Sequence, residues 1–229
     1  MPLPSSVSSI QTLSRFKRFK GLGFEAELWE DKQKEAADLI DRLKSVVSIY
    51  TAEVVMGNVE RGRMSDRERW VKVWQLYEDL VSQHNTLGQK IDFSELKQKI
   101  DRYFFFDMCI NLSNSLARPI QEGKNKAAKI IQGEFPGGIS DIEAYNKRRE
   151  QNNFESRVDE AFKFTANGNL AEKMLDLAET AKRNLKDNFD IEIEFDADLI
   201  KRLKRISNLY VNRPVVPTDE LNAWADGRE

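Results

Sequence analysis

SRFKRFKGLGFEAELWE, residues 14–30, is sorted by charge. Arg15, Lys17, Arg18 and Lys20 come first, Gly21-Leu22-Gly23 follows, and Glu25, Glu27 and Glu30 close the stretch. The alternation predicts a β-hairpin, with Ile10 to Lys20 and Phe24 to Trp29 as strands and the glycines free to take positive φ in a three-residue loop. Phe24, Ala26 and Leu28 then share one face, and Glu25 and Glu27 the other. One register sets Lys17 opposite Glu25 and Arg15 opposite Glu27, with Phe16 near Ala26, each cross-strand pair contributing about 0.2–1 kcal/mol. In this reading the charge sorting fixes register and needs no anion.

A second alternating stretch lies far along the chain. In FDIEIEFD, residues 189–196, Ile191, Ile193 and Phe195 fall on one side and Asp190, Glu192, Glu194 and Asp196 on the other. This period of two predicts a strand. Its acids complement the basic strand at 13–20, which predicts a three-stranded sheet joining the N-terminus to the last third of the chain.

Between and beyond these, helical periods dominate. From about Asp31 to Val59, Ala36, Ile40, Leu43, Val47, Tyr50 and Val54 step by four and three, a heptad-like seam. Leu39 and Val46 widen the stripe, which predicts burial against several neighbours. Ser65 and Glu68 form a capping box before a second helix carrying Trp70, Val73, Trp74, Tyr77, Leu80 and Val81, stopped near Gly88. Asp92 or Ser94 caps a third, aromatic helix, apolar on nearly every face from 103 to 112 and therefore the central core element. Pro119 is expected to kink or end it, leaving a short basic helix at 120–132. GEFPGG at 133–138 is the strongest internal punctuation. Ser140 opens a second capping box, and helices follow at 141–152, 154–166 and 169–186, with Asn167-Gly168 as a turn. Ala197 to Val211 forms the last long helix, and RPVVP leads to a tail. The expected fold is mainly α, about seven helices with a small antiparallel sheet. Its expected parts are a flexible N-terminus (1–9), a hairpin plus helical core (10–132), a C-terminal helical subdomain with one strand (139–212) and a tail (213–229).

Composition narrows function by exclusion. The 229 residues hold 36 Lys and Arg against 38 Asp and Glu, a formal net charge of −2. Such a balance gives no bulk attraction for nucleic acid or an anionic membrane. The single cysteine, Cys109, excludes an intramolecular disulfide and a thiolate zinc cluster, and fits a reducing cytoplasmic setting. The longest apolar run, Tyr103 to Phe106, is broken by Asp107 and falls far short of the ~20 residues that span a bilayer. The N-terminus has no apolar h-region. It is Ser-rich, basic and free of acids until Glu25, which also describes an organelle transit peptide, but the hairpin accounts for its basic half.

Catalytic residue types are scarce. His84 stands near a helix C-terminus, where a histidine is ordinary. Cys109 lies in an apolar helix, where a small core residue is commoner than a nucleophile. The acids from Asp187 to Asp198 lack the glycine and terminal glutamate of an EF-hand loop, and alternate carboxylates on a strand do not converge. No Glu-x-x-His pair exists, and no phosphate-binding, zincin or nucleophile-elbow motif. No cofactor is expected. Basic residues cluster at Lys124, Lys126 and Lys129 with Lys147, Arg148 and Arg149, and again at Lys201, Arg202, Lys204 and Arg205, with acids interspersed as in a solvated helix face. Leu221 and Trp224 step by three on a short helix capped by Thr218, fit either to fold back or to dock elsewhere.

Gly23, Phe24, Glu25, Ala26, Glu27 and Leu28 resemble a G-x-E-x-E-hydrophobic strand found in many uncharacterised bacterial proteins, where it precedes a long helix and often follows a membrane anchor. The resemblance implies a bacterial source. Taken together, the residues predict a non-enzymatic interaction or assembly module, a homo-oligomer or a partner complex, with Phe16, Phe24, Trp29, Leu221 and Trp224 as contact residues. Two alternatives are a nucleic-acid-associated protein using its basic helices and a metal-dependent hydrolase or nuclease with a carboxylate site.

Overall fold

A 41-residue helix organises the molecule. In the computed structural model, which describes residues 24–61 and 68–228 (side chains at 32–60 and 68–228), this helix is α3, Ser94–Glu134. Before it come α1, Phe24–Arg61, and α2, Arg69–Thr86. After it come α4, Ile142–Gln151, the single turn α5, Ala161–Phe164, then α6, Leu170–Phe189, α7, Ala197–Val211, and α8, Asp219–Ala225. At 1.5 Å per residue α3 runs about 60 Å, and α6, α7 and α8 pack along it, with α1, α4 and α5 touching it more briefly.

The core is built on α3 as its aromatic run predicts. Ile100, Phe104 and Met108 are fully buried, and Trp70 and Trp74 of α2 both meet the Phe104 ring edge-on. Met174, Ala178 and Ala181 of α6 and Leu203 and Ile206 of α7 complete the same cluster. Residues on both sides of the 135–138 turn therefore share one core. A smaller cluster of Ala127, Ile131, Leu185, Phe189 and Ile191 closes the far end of α3.

The sheet is where sequence and structure part. Phe24 to Trp29 is not a strand: it is the opening of α1, and among the described residues no strand occurs at all. Alternation over six residues is short enough to fit either period. Composition then decides, because Glu, Ala and Leu are good helix formers and the first β-branched residue after Gly23 is Ile40. Glu25 and Glu27 also suit the positive end of the helix dipole. The strand that carried the bacterial resemblance is thereby removed. The Ile10 to Lys20 half of the expected hairpin, with Phe16, lies outside the described residues.

The 190–196 stretch is neither helix nor strand. Asp190 takes a left-handed conformation (φ 53°) that turns the chain off α6. Ile191 then drops into the smaller cluster while Ile193 and Phe195 lie half-buried and Glu192 and Glu194 face out. The expected strand is absent, although its alternation of covered and open side chains holds. What lies beneath is a helix surface, so side-chain packing replaces a ladder.

Three further expectations shift. Pro119 neither ends nor splits α3. It lacks the N–H that would reach the Ser115 carbonyl, but Leu116, Ala117 and Ile120 are buried around it and hold the helix through. The helix expected at 154–166 shrinks to α5, entered through a left-handed Glu160. And α1 is not buried against several neighbours: only its C-terminal end, from Thr51 through Val55 to Val59, is fully covered, by α2 and α3. Gly88, by contrast, sits just past α2 at φ 68°, the position that favours glycine.

Candidate interaction surface

Every side chain from 32 to 43 on α1 is exposed. Leu39, Ile40, Leu43, Val46, Ile49 and Tyr50 each leave between 52% and 68% of their surface open. In heptad terms Ile40, Val47 and Val54 take a positions, Ala36, Leu43 and Tyr50 take d, and Leu39 and Val46 take g. The neighbour α2 lies on the other flank, where Thr51, Val55 and Val59 are buried. A monomer carries scattered apolar residues on its surface, whereas these six follow one another along one side of a single helix. The sequence showed the seam and misjudged what covers it. The signal that separates the two is the heptad step itself, which describes a two-helix seam better than the broad stripe of a core helix.

The other end of the molecule is closed. Thr218 accepts from the Leu221 N–H, and Leu221, Asn222 and Ala225 are buried against α3 and α2. The tail therefore folds back on its own chain. Trp224 stays half-buried beneath the guanidinium groups of Arg202 and Arg205, 5.6 and 5.1 Å from its ring centre. Asn111 donates to the carbonyls of Trp224 and Ala225 at 2.9 and 3.1 Å. Asp226 accepts from the Trp70 N–H at 3.2 Å and so caps α2 from the far end of the sequence. Next to it, Asp107 binds the buried Arg69 guanidinium and accepts from the Trp70 indole N–H at 3.2 Å. Burial is the main force holding the Asp226 carboxyl above its ordinary range, against the Trp70 N–H and the nearby Arg228 and Arg69. Ser65, the expected cap, lies outside the described residues, and Glu68 makes no side-chain cap bond.

The catalytic candidates are occupied or buried. His84 shares Nε2 with the Thr51 hydroxyl at 3.2 Å and Nδ1 with Gln89 Oε1 at 2.8 Å, tying α1 to the end of α2. Burial pushes the Cys109 thiol up to about 12, far from a usable thiolate. The acids after α6 spread out: Asp190 and Glu192 share Lys186 at 2.7 Å each, and Asp196 caps α7. Among the described residues no three His, Cys, Asp or Glu side chains gather to hold a metal ion.

The basic residues also divide. Lys124 donates to the Phe154 carbonyl and lies over its ring, while Lys126 and Lys129 face solvent. Arg148 forks onto Glu134 and also donates to the Asn188 carbonyl. Arg205 pairs with Glu220 at 2.7 Å; Lys201 and Lys204 are exposed and Arg202 half-exposed. An open groove of about 850 Å³ lies between the end of α3 and α4, lined by Lys124, Phe135, Tyr145, Arg149 and several amides. Its lining also includes Glu150, and it contains no His, Cys, Ser or Asp. Phe24 and Trp29 lie on the opening turns of α1, with side chains outside the described set.

Compared with protein-family models, curated proteins and solved structures, the chain matches none. Among the described residues no helix is long and apolar enough to cross a membrane.

Proposed function

We propose that the protein is a non-enzymatic interaction or assembly module, and that α1 is its docking arm. One observation carries this reading: the apolar seam from Leu39 to Tyr50 lies open on a helix whose last turns are fixed to a well-packed body. Burying such side chains is worth about 1.5–3 kcal/mol each, which a partner can supply and solvent cannot. The internal use of Lys124, Arg148 and Arg205 supports this reading over a nucleic-acid one. A lone buried Cys109 fits a cytoplasmic setting.

The test is Leu43→Glu. Leu43 is exposed, so the variant should melt like wild type at concentrations where wild type is monomeric, yet it should lose its self-assembly in sedimentation or the partner that co-purifies with the wild-type chain. A wild-type chain that sediments as a monomer at every concentration, co-purifies with nothing and is unchanged by Leu43→Glu defeats the proposal.

A further inference from the structure

Resting on the reading of α1 as a docking arm, we infer that its occupant is the α1 of a second copy, laid antiparallel about a two-fold axis between Asp41 and Arg42. The heptad positions allow this register directly. Antiparallel helices pair a positions with d positions, and g with g. Here Ile40 of each copy meets Leu43 of the other at the centre, and the outer layers set Ala36 against Val47 and Gln33 against Tyr50, a larger residue facing a small or flexible one.

The flanks discriminate between directions. In the antiparallel register, the g position Lys32 of one copy stands beside the g position Glu53 of the other, twice by symmetry, and both are exposed. Leu39 stands beside Val46, again twice. On the e side Lys44 faces Ala37, so no like charges oppose. A parallel pair instead sets Leu39 against Lys44 and Val46 against Thr51, and leaves Lys32 beside Ala37. That arrangement puts the two apolar g residues against a charge and against a hydroxyl that already lies buried beside His84. Charge complementarity and apolar matching therefore both select the antiparallel pair. An isologous two-fold contact of this kind is self-complementary and closes at two copies. It also places the two bodies at opposite ends of the paired arms.

Cysteine pairing tests direction and register together. Ala36→Cys and Val47→Cys are made separately in full-length chains carrying Cys109→Ser, and each is oxidised alone and then mixed. The expected result is a disulfide dimer in the mixture and none in either variant alone, because positions 36 and 47 are about 16 Å apart along a helix. A charge exchange gives a second reading: Lys32→Glu and Glu53→Lys each weaken the wild-type self-association by about tenfold, and the double exchange restores it. Self-linked dimers of each single variant would mean a parallel pair and overturn the inference while leaving self-association in place. A monomeric chain that captures a different protein through the seam would also overturn it and keep the docking-arm reading. A monomer whose seam is shielded by its own first 23 residues, or one that binds nothing, removes both.

Discussion

Asp226 shows how much one carboxylate near the end of the chain holds together. It caps the first turn of α2 through the Trp70 N–H, joins Arg228, and lies close to the buried Arg69–Asp107 pair. Replacing a helix cap by Ala costs about 1 kcal/mol, so Asp226→Ala should lower stability by that amount in urea titrations, while Asp226→Asn keeps an acceptor and loses less. Acidity separates the two further. Burial raises the Asp226 pKa, so the folded chain holds this proton more tightly than the unfolded chain. The associated stability is fully present below the ordinary carboxylate value and is lost as pH rises through the folded one. Asp101, raised for the same reason, adds in the same direction. Asp226→Asn should therefore compare better with wild type at pH 7 than at pH 3.5. A difference independent of pH would show that burial does not govern this carboxyl.

Elements were legible where one physical signal settled them. The cap of α8 at Thr218, the Asn167-Gly168 turn before α6 and the full span of α7 all stand as the sequence implies, because side-chain caps and helical periods are local. The two alternating stretches were not settled locally, and they fail for different reasons. Phe24 to Leu28 fits two periods, and helix-forming composition wins. Ile191 to Phe195 keeps its alternation of covered and open side chains, but whether such a segment meets another strand or a helix is a fact of tertiary contact. The seam of α1 was visible residue by residue; its exposure was not, since periodicity reports an apolar face and not its neighbour. At Gly123 α3 packs close against the Leu185 and Ile193 side chains, and an added Cβ there would collide with Leu185. Ala is about 1 kcal/mol better than Gly inside a helix, yet crowding a packed core costs about 1–3 kcal/mol. Gly123→Ala should therefore destabilise on balance, seen as a lower midpoint in urea. A stabilised variant would mean that α3 and α6 separate freely there.

At the scale of the whole molecule the two ends carry opposite duties. The N-terminal arm contributes nothing to the described core before Lys44, since every side chain from 32 to 43 is exposed. The C-terminal tail contributes Val215, Leu221 and Ala225 to that core, along with the Asp226 cap. Replacing Leu39, Ile40 and Leu43 together by Gln should therefore leave the melting temperature nearly unchanged, compared at concentrations where the wild-type chain is monomeric so that association adds nothing. A chain ending at Asn212 should fare very differently. Losing a buried Leu side chain alone costs about 2–5 kcal/mol, and a domain of this kind holds only about 5–15 kcal/mol in total. Removing the tail also opens the side of Trp70 and strips the first turn of α2 of its cap. The shortened chain should show no cooperative melt and should expose apolar surface to a hydrophobic dye. If it melts like the full chain instead, the tail is an accessory and Trp224 is free to serve a partner; if the three Gln substitutions collapse the fold, α1 belongs to the core and its open seam is no docking surface.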